Sequence, residues 1–205
     1  MTRKFSSFLN EAARKSLSRV QSKFANSNVG IITAHRGNYD DKPAEEHAAH
    51  NNVQNGYLAK DIRAHGFGFQ HIRGRFIEKH GTPAAHPVDE HSFLVSHPNA
   101  NKLKHFLTKH GEKYGQDSVL FKHKDSEHAH LIGTKEGAFP GKGVEHSVGK
   151  FHANRFPEFH SLLHRGGDAK PGKTASTKKG FAFEDYENFG VYMPISWFSR
   201  REELY

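Results

Sequence analysis

Ser92-Phe-Leu-Val95, then Pro98-Asn99, then Leu103, Phe106, Leu107, His110 and Tyr114 at helical spacing, then Gly115, then Ser118-Val-Leu-Phe121: the stretch from 92 to 121 decides the fold. Short apolar runs bounded by turn residues are buried strands, whereas an apolar stripe recurring every three or four residues is the face of a helix. Pro98-Asn99 starts the helix and Gly115 stops it. The stretch therefore reads strand, helix, strand.

Working outward, the same unit recurs upstream. Val29-Gly-Ile-Ile-Thr33 is a buried strand, and Pro43-Ala-Glu-Glu46 opens a helix with proline and acids in its first turn, which suits the helix dipole. Val53, Tyr57, Leu58 and Ile62 keep helical spacing, and Gly66 ends the element. Phe67, Phe69, Ile72, Phe76 and Ile77 form a second strand, with Gly74 as an expected bulge, and a proline-containing loop at 81–88 precedes the strand at 92. His130-Leu-Ile-Gly133 offers a fifth strand. The order is β-α-β-β-α-β, which predicts an α+β, ferredoxin-like domain over 28–135 with two helices on one face of an antiparallel sheet.

Two flanks remain. Residues 1–27 predict an amphipathic helix over 3–25, with Phe5, Phe8, Leu9, Ala12, Ala13, Leu17, Val20 and Phe24 on one stripe. It reads as a packing helix, a membrane-surface helix or a leader. Residues 136–205 form an irregular C-terminal extension: a Gly-, Lys-, Ser- and Thr-rich segment with an expected mobile loop at 165–179, then Phe181, Phe183, Tyr186, Phe189, Val191, Tyr192, Trp197 and Phe198. So much aromatic surface is expected to dock on the core or on a neighbouring subunit.

Composition excludes several chemistries. The 205-residue chain has no cysteine, so disulfides and thiolates play no part. No apolar run approaches the roughly 20 residues of a membrane span, and the N-terminus lacks the apolar core of a secretory signal. The formal charge of +8 gives the chain an affinity for nucleic acid through phosphate neutralisation. No zinc-finger spacing or aromatic RNA-binding motif adds sequence recognition. The 18 histidines include the pairs His47/His50, His105/His110 and His128/His130, but no complete zinc signature, so no metal is expected. Gly133 to Gly143 contains no phosphate-loop pattern.

Four local patterns of the middle part resemble phage S-adenosylmethionine lyases and a related bacterial and phage domain family. Thr33-Ala-His-Arg36-Gly-Asn38 parallels a Ser-Ala-x-Arg-x-Asn strand ending. Gly74-Arg-Phe76-Ile-Glu78 parallels Gly-x-Tyr-x-Glu, with Phe76 replacing the tyrosine. Pro87-Val-Asp-Glu90 parallels a Pro-x-acid-Glu stretch, and Gly115-Gln116-Asp117 a Glu-Gln-Asp stretch, with Gly115 in place of the glutamate. The resemblance implies a trimer similar to the PII signalling proteins, holding S-adenosylmethionine between subunits and splitting it into methylthioadenosine and homoserine lactone without a cofactor. It implies Glu90 and Glu78 as catalytic residues, and Thr33, Arg36, Phe76 and Gln116 as contacts to the nucleoside-type ligand.

Without the resemblance, Glu90 reads as a loop carboxylate, Gln116 and Asp117 as turn residues and Glu78 as surface charge. Phe5-Ser-Ser-Phe-Leu-Asn-Glu11 resembles the leader that sends internal proteins into phage proheads. Three functions follow as expectations: a lyase in the host cytoplasm, a ligand binder on the same fold, or a DNA-associated protein of the phage virion interior.

Overall fold

Alternation along the strands sorts their side chains onto two faces, and both faces are covered. The computed structural model describes residues 17–36, 43–78, 86–153, 160–163 and 180–184. Its elements run α1 (Leu17–Asn26), β1 (Asn28–Ile32), α2 (Ala44–Ala64), β2 (Gly68–Glu78), β3 (His86–His97), α3 (Ala100–Lys113), β4 (Ser118–Lys122), β5 (His128–Gly133), β6 (Glu145–Ala153), β7 (His160–Leu163) and β8 (Gly180–Phe183). The strands pair antiparallel in the order β1-β3-β2-β7-β8-β6-β5-β4, and β4 returns to β1, closing a barrel.

The ferredoxin-like expectation is thereby corrected. The strand and helix order from β1 to β4 is present in the chain, but the sheet is not an open four-stranded layer backed by two helices. It continues through β5, β6, β8 and β7 until its edges meet. The physical reason lies in its second face. Val29, Ile72, Leu94, Leu120, Ala129, Val148, Leu163, Phe181 and Phe183 from the strands gather with Leu17, Val20 and Phe24 of α1 in one buried cluster. Closing the sheet around that cluster removes both the apolar face and the open edges from water.

The outer face carries α2 and α3. Ile32, Phe93, Val95, Val119 and Phe121 pack there against Leu58, Ile62, Leu103, Phe106 and Leu107. Gly30 permits this approach, because a Cβ on it would collide with Leu107 and lie 2.9 Å from the Leu120 carbonyl oxygen. Asn99 caps α3, its side chain accepting from the Lys102 N–H at 2.9 Å. At the other end the Gly115 and Gln116 N–H groups bond back to the Glu112 and Gly111 carbonyls, with Gly115 at φ +65°, which completes a Schellman stop.

Several local expectations change. Val53 and Tyr57, taken as part of the apolar stripe of α2, are 51% and 52% exposed, while Asn51 and Asn55 are buried on its inward side with Leu58 and Ile62. Gly74 is no bulge, since β2 and β3 stay in register from Gly68↔Ser96 to Glu78↔His86. The register shift falls between Ala129 and His130 instead. β3 starts at His86, within the segment expected to be loop. Phe181 and Phe183 are buried against Phe24, at ring separations of 5.5 and 5.7 Å. The proposed leader, the loop at 165–179 and the aromatic residues from Tyr186 to Phe198 lie outside the described residues.

Candidate ligand site at the end of β1

Past Ile32 the chain leaves the sheet as Thr33-Ala34-His35-Arg36, and its backbone polar groups must then find side-chain partners. α2 supplies two. Asn51 and Asn55 sit one turn apart and therefore face the same way. The Asn51 Oδ1 accepts from the Arg36 N–H at 2.9 Å, and its Nδ2 donates to the Arg36 carbonyl at 2.9 Å. The Asn55 Oδ1 accepts from the Ala34 N–H at 2.9 Å, and its Nδ2 donates to the His91 carbonyl at 3.0 Å.

Thr33 closes the same corner. Its hydroxyl donates to the His91 carbonyl at 2.7 Å and accepts from the His35 N–H at 2.9 Å. From the α3–β4 turn, the Gln116 Nε2 donates to the His35 carbonyl at 3.0 Å and to that of Tyr114 at 3.4 Å. Gln116 is itself held by its N–H bond to Gly111 and by the Thr134 hydroxyl, which donates to its carbonyl at 2.5 Å. The end of β1, the middle of β3, α2, the α3–β4 turn and the end of β5 thus converge.

Glu90 enters from β3, opposite Gly74 of β2, a residue with no side chain to crowd it. Its Oε1 lies 3.7 Å from the His35 Nδ1, with the two side chains 17% and 20% exposed. That ring nitrogen is buried and has no hydrogen-bond partner among the described residues. The Arg36 guanidinium lies across Gly115. The corner can therefore present a carboxylate, an imidazole and a guanidinium from a backbone that its own side chains hold rigid.

Of the residues expected to contact a ligand, Thr33, Arg36, Glu90 and Gln116 meet at this corner. Phe76 and Glu78 belong to the same strand pair, opposite Val88 and His86. They lie two and four positions beyond Gly74, roughly 7 and 13 Å along the strand, and their side chains fall outside the described residues. His35, Asn51, Asn55 and Thr134 were missed. The asparagines did leave a signal, being polar residues in phase with Leu58 and Ile62 on a helix. Among the described residues no group of three or more histidine, aspartate and glutamate side chains is placed to hold a metal ion.

A family model for the S-adenosylmethionine lyase family matches residues 30–179, a range that contains all six expected site residues and the corner just described. The chain belongs to the S-adenosylmethionine lyase family. No curated protein matches the chain.

Proposed function

We propose that the protein binds S-adenosylmethionine at the end of β1 and cleaves it to methylthioadenosine and homoserine lactone. The observation that carries this reading is the placement of the Glu90 carboxylate beside the braced Thr33–Arg36 segment, inside the region matched by the family.

The chemistry asks little of the protein. A carboxylate oxygen of the substrate attacks the γ-methylene carbon of its own methionine chain, and the bond from that carbon to sulfur breaks with its electron pair returning to sulfur. A cationic sulfonium becomes a neutral thioether, the ring closes as a lactone, and no proton needs to move. Holding the near-attack geometry and arranging charge around the sulfonium supply the rate. Glu90 faces the amino group or the sulfonium, and Glu78 assists. Arg36 orients the substrate carboxylate through one oxygen, leaving the other to attack.

Phe76 stacks on adenine. The amide oxygen of Gln116 takes a polar edge of the ligand, since its nitrogen donates to His35 and Tyr114. Thr33 contributes through backbone, because its hydroxyl is occupied by His91 and His35. The same reading makes the protein a phage product that denies the host methylation and restriction their cofactor. It also calls for a trimer with the ligand between subunits, for which exposed Val53 and Tyr57 offer apolar surface.

The test is release of methylthioadenosine from S-adenosylmethionine by the purified chain, followed by chromatography. Glu90→Gln should abolish release with the fold intact, and Phe76→Tyr should raise it by restoring the hydroxyl the resembling lyases carry. Binding by calorimetry without release from wild type or Phe76→Tyr would leave a ligand-binding relative, a reading favoured by Phe76 and Gly115 standing where the lyases carry tyrosine and glutamate. Absence of both binding and release would remove the proposal.

A further inference from the structure

We infer that His35 is a positioning residue for Glu90, its Nδ1–H holding one carboxylate oxygen so that the other faces the cationic groups of the ligand. This rests on the lyase reading above. Five hydrogen bonds fix three consecutive residues: Asn55 takes the Ala34 N–H, Thr33 the His35 N–H and Asn51 the Arg36 N–H, while Gln116 and Asn51 donate to the carbonyls of His35 and Arg36. The central residue of that braced segment directs its ring at Glu90.

A buried ring nitrogen without a partner is costly, and here the facing acceptor is the Glu90 carboxylate at 3.7 Å. That separation is longer than a hydrogen bond, and contacts of this kind tighten when substrate enters. A neutral imidazole carries one N–H, and the hydrogen bond it makes selects the nitrogen that bears it. The arrangement assigns the proton to Nδ1. A neutral donor orients the carboxylate without cancelling its charge, whereas an imidazolium would neutralise Glu90 and repel a sulfonium.

The test compares His35→Phe, which keeps a flat ring but no donor, with His35→Asn, whose amide nitrogen lies near the position of Nδ1. His35→Phe should lower kcat for methylthioadenosine release about 10- to 100-fold, the worth of one hydrogen bond to a charged group, with the Kd for S-adenosylmethionine changed little. His35→Asn should recover most of that loss. Unchanged kcat in His35→Phe, or no recovery in His35→Asn, overturns the inference.

A second measurement does not depend on turnover. Nitrogen-15 spectra of the ligand-free full chain, with the His35 signals assigned by subtraction of His35→Asn, should show an Nδ1–H ring whose shifts move in Glu90→Gln. An Nε2–H ring, or no response to Glu90→Gln, overturns the pairing. If wild type releases no product, the lyase reading falls and these spectra alone decide whether His35 holds Glu90.

Discussion

The guanidinium of Arg36 lies over the Cα of Gly115, so that a Cβ there would come within 3.3 Å of its Nη1 and 3.5 Å of its Cζ. Gly115 is also at φ +65°, in the left-handed region. One glycine thus ends α3, delivers Gln116 to the His35 carbonyl and makes room for a cation. Gly115→Ala should cost about 1–2 kcal/mol from backbone conformation alone, with the contact to Arg36 adding to it. Urea unfolding would measure this, and an unchanged midpoint would show that the turn relaxes freely.

α1 belongs to the core. Phe24 is 1% exposed and its ring stacks on Phe151 at 4.6 Å, with Phe181 and Phe183 around it. Phe24→Ala should destabilise the fold by about 3–5 kcal/mol, the usual cost of emptying a buried phenylalanine site. Thermal unfolding at the wild-type temperature would contradict the placement of α1 against the inner strands.

Asn55→Ala removes the acceptor of the Ala34 N–H. The His91 carbonyl keeps its bond from Thr33, so the orphaned group is the Ala34 N–H, at a cost of about 1–3 kcal/mol. Amide hydrogen exchange should accelerate at Ala34 and His35 before it does in β4. Acceleration spread evenly over the barrel would mean that Asn55 supports the fold at large rather than this corner.

Acid should weaken the protein through the ends of α2 and α3. Burial pushes His110 below its ordinary value, despite its ring bond to the Phe106 carbonyl and the charge of Asp61. Burial alone would raise Asp61, but hydrogen bonds from Lys113 at 2.6 Å and Tyr114 at 2.9 Å, with the charges of Lys113 and His110, take it below the usual carboxylate value. Both groups bind protons more readily in the unfolded chain, so stability falls as pH falls. The His110 part begins to go below the ordinary imidazole value of about 6.5 and is spent once its lowered value is passed. The Asp61 part is full above the ordinary carboxylate value and is lost as pH drops through the lowered one. Melting temperatures of wild type should decline from pH 7.5 to 5.5, and His110→Gln should flatten that decline; parallel curves would refute the assignment.

The sequence by itself determined the local elements. β1, α2, β2, the core of β3, α3, β4 and β5 were legible because strand and helix periods differ and because Pro98-Asn99 and Gly115 carry start and stop chemistry at short range. Thr33, Arg36, Glu90 and Gln116 were singled out only by the resemblance to the S-adenosylmethionine lyases, and the fold brings them to one corner. What only the tertiary structure decided is where the second face of the sheet goes. Strands of four residues such as His160–Leu163 and Gly180–Phe183 carry too little periodicity to be read alone, and a stripe such as Leu17, Val20 and Phe24 states that it must be buried without stating against what. Closure of the barrel, the inward turn of Asn51 and Asn55, and the meeting of His35 with Glu90 all pair residues far apart in the chain. Such pairings exist only once the sheet has curled, because backbone groups that leave β1 at Thr33 are satisfied by whichever side chains the packing of α2 and α3 brings to them.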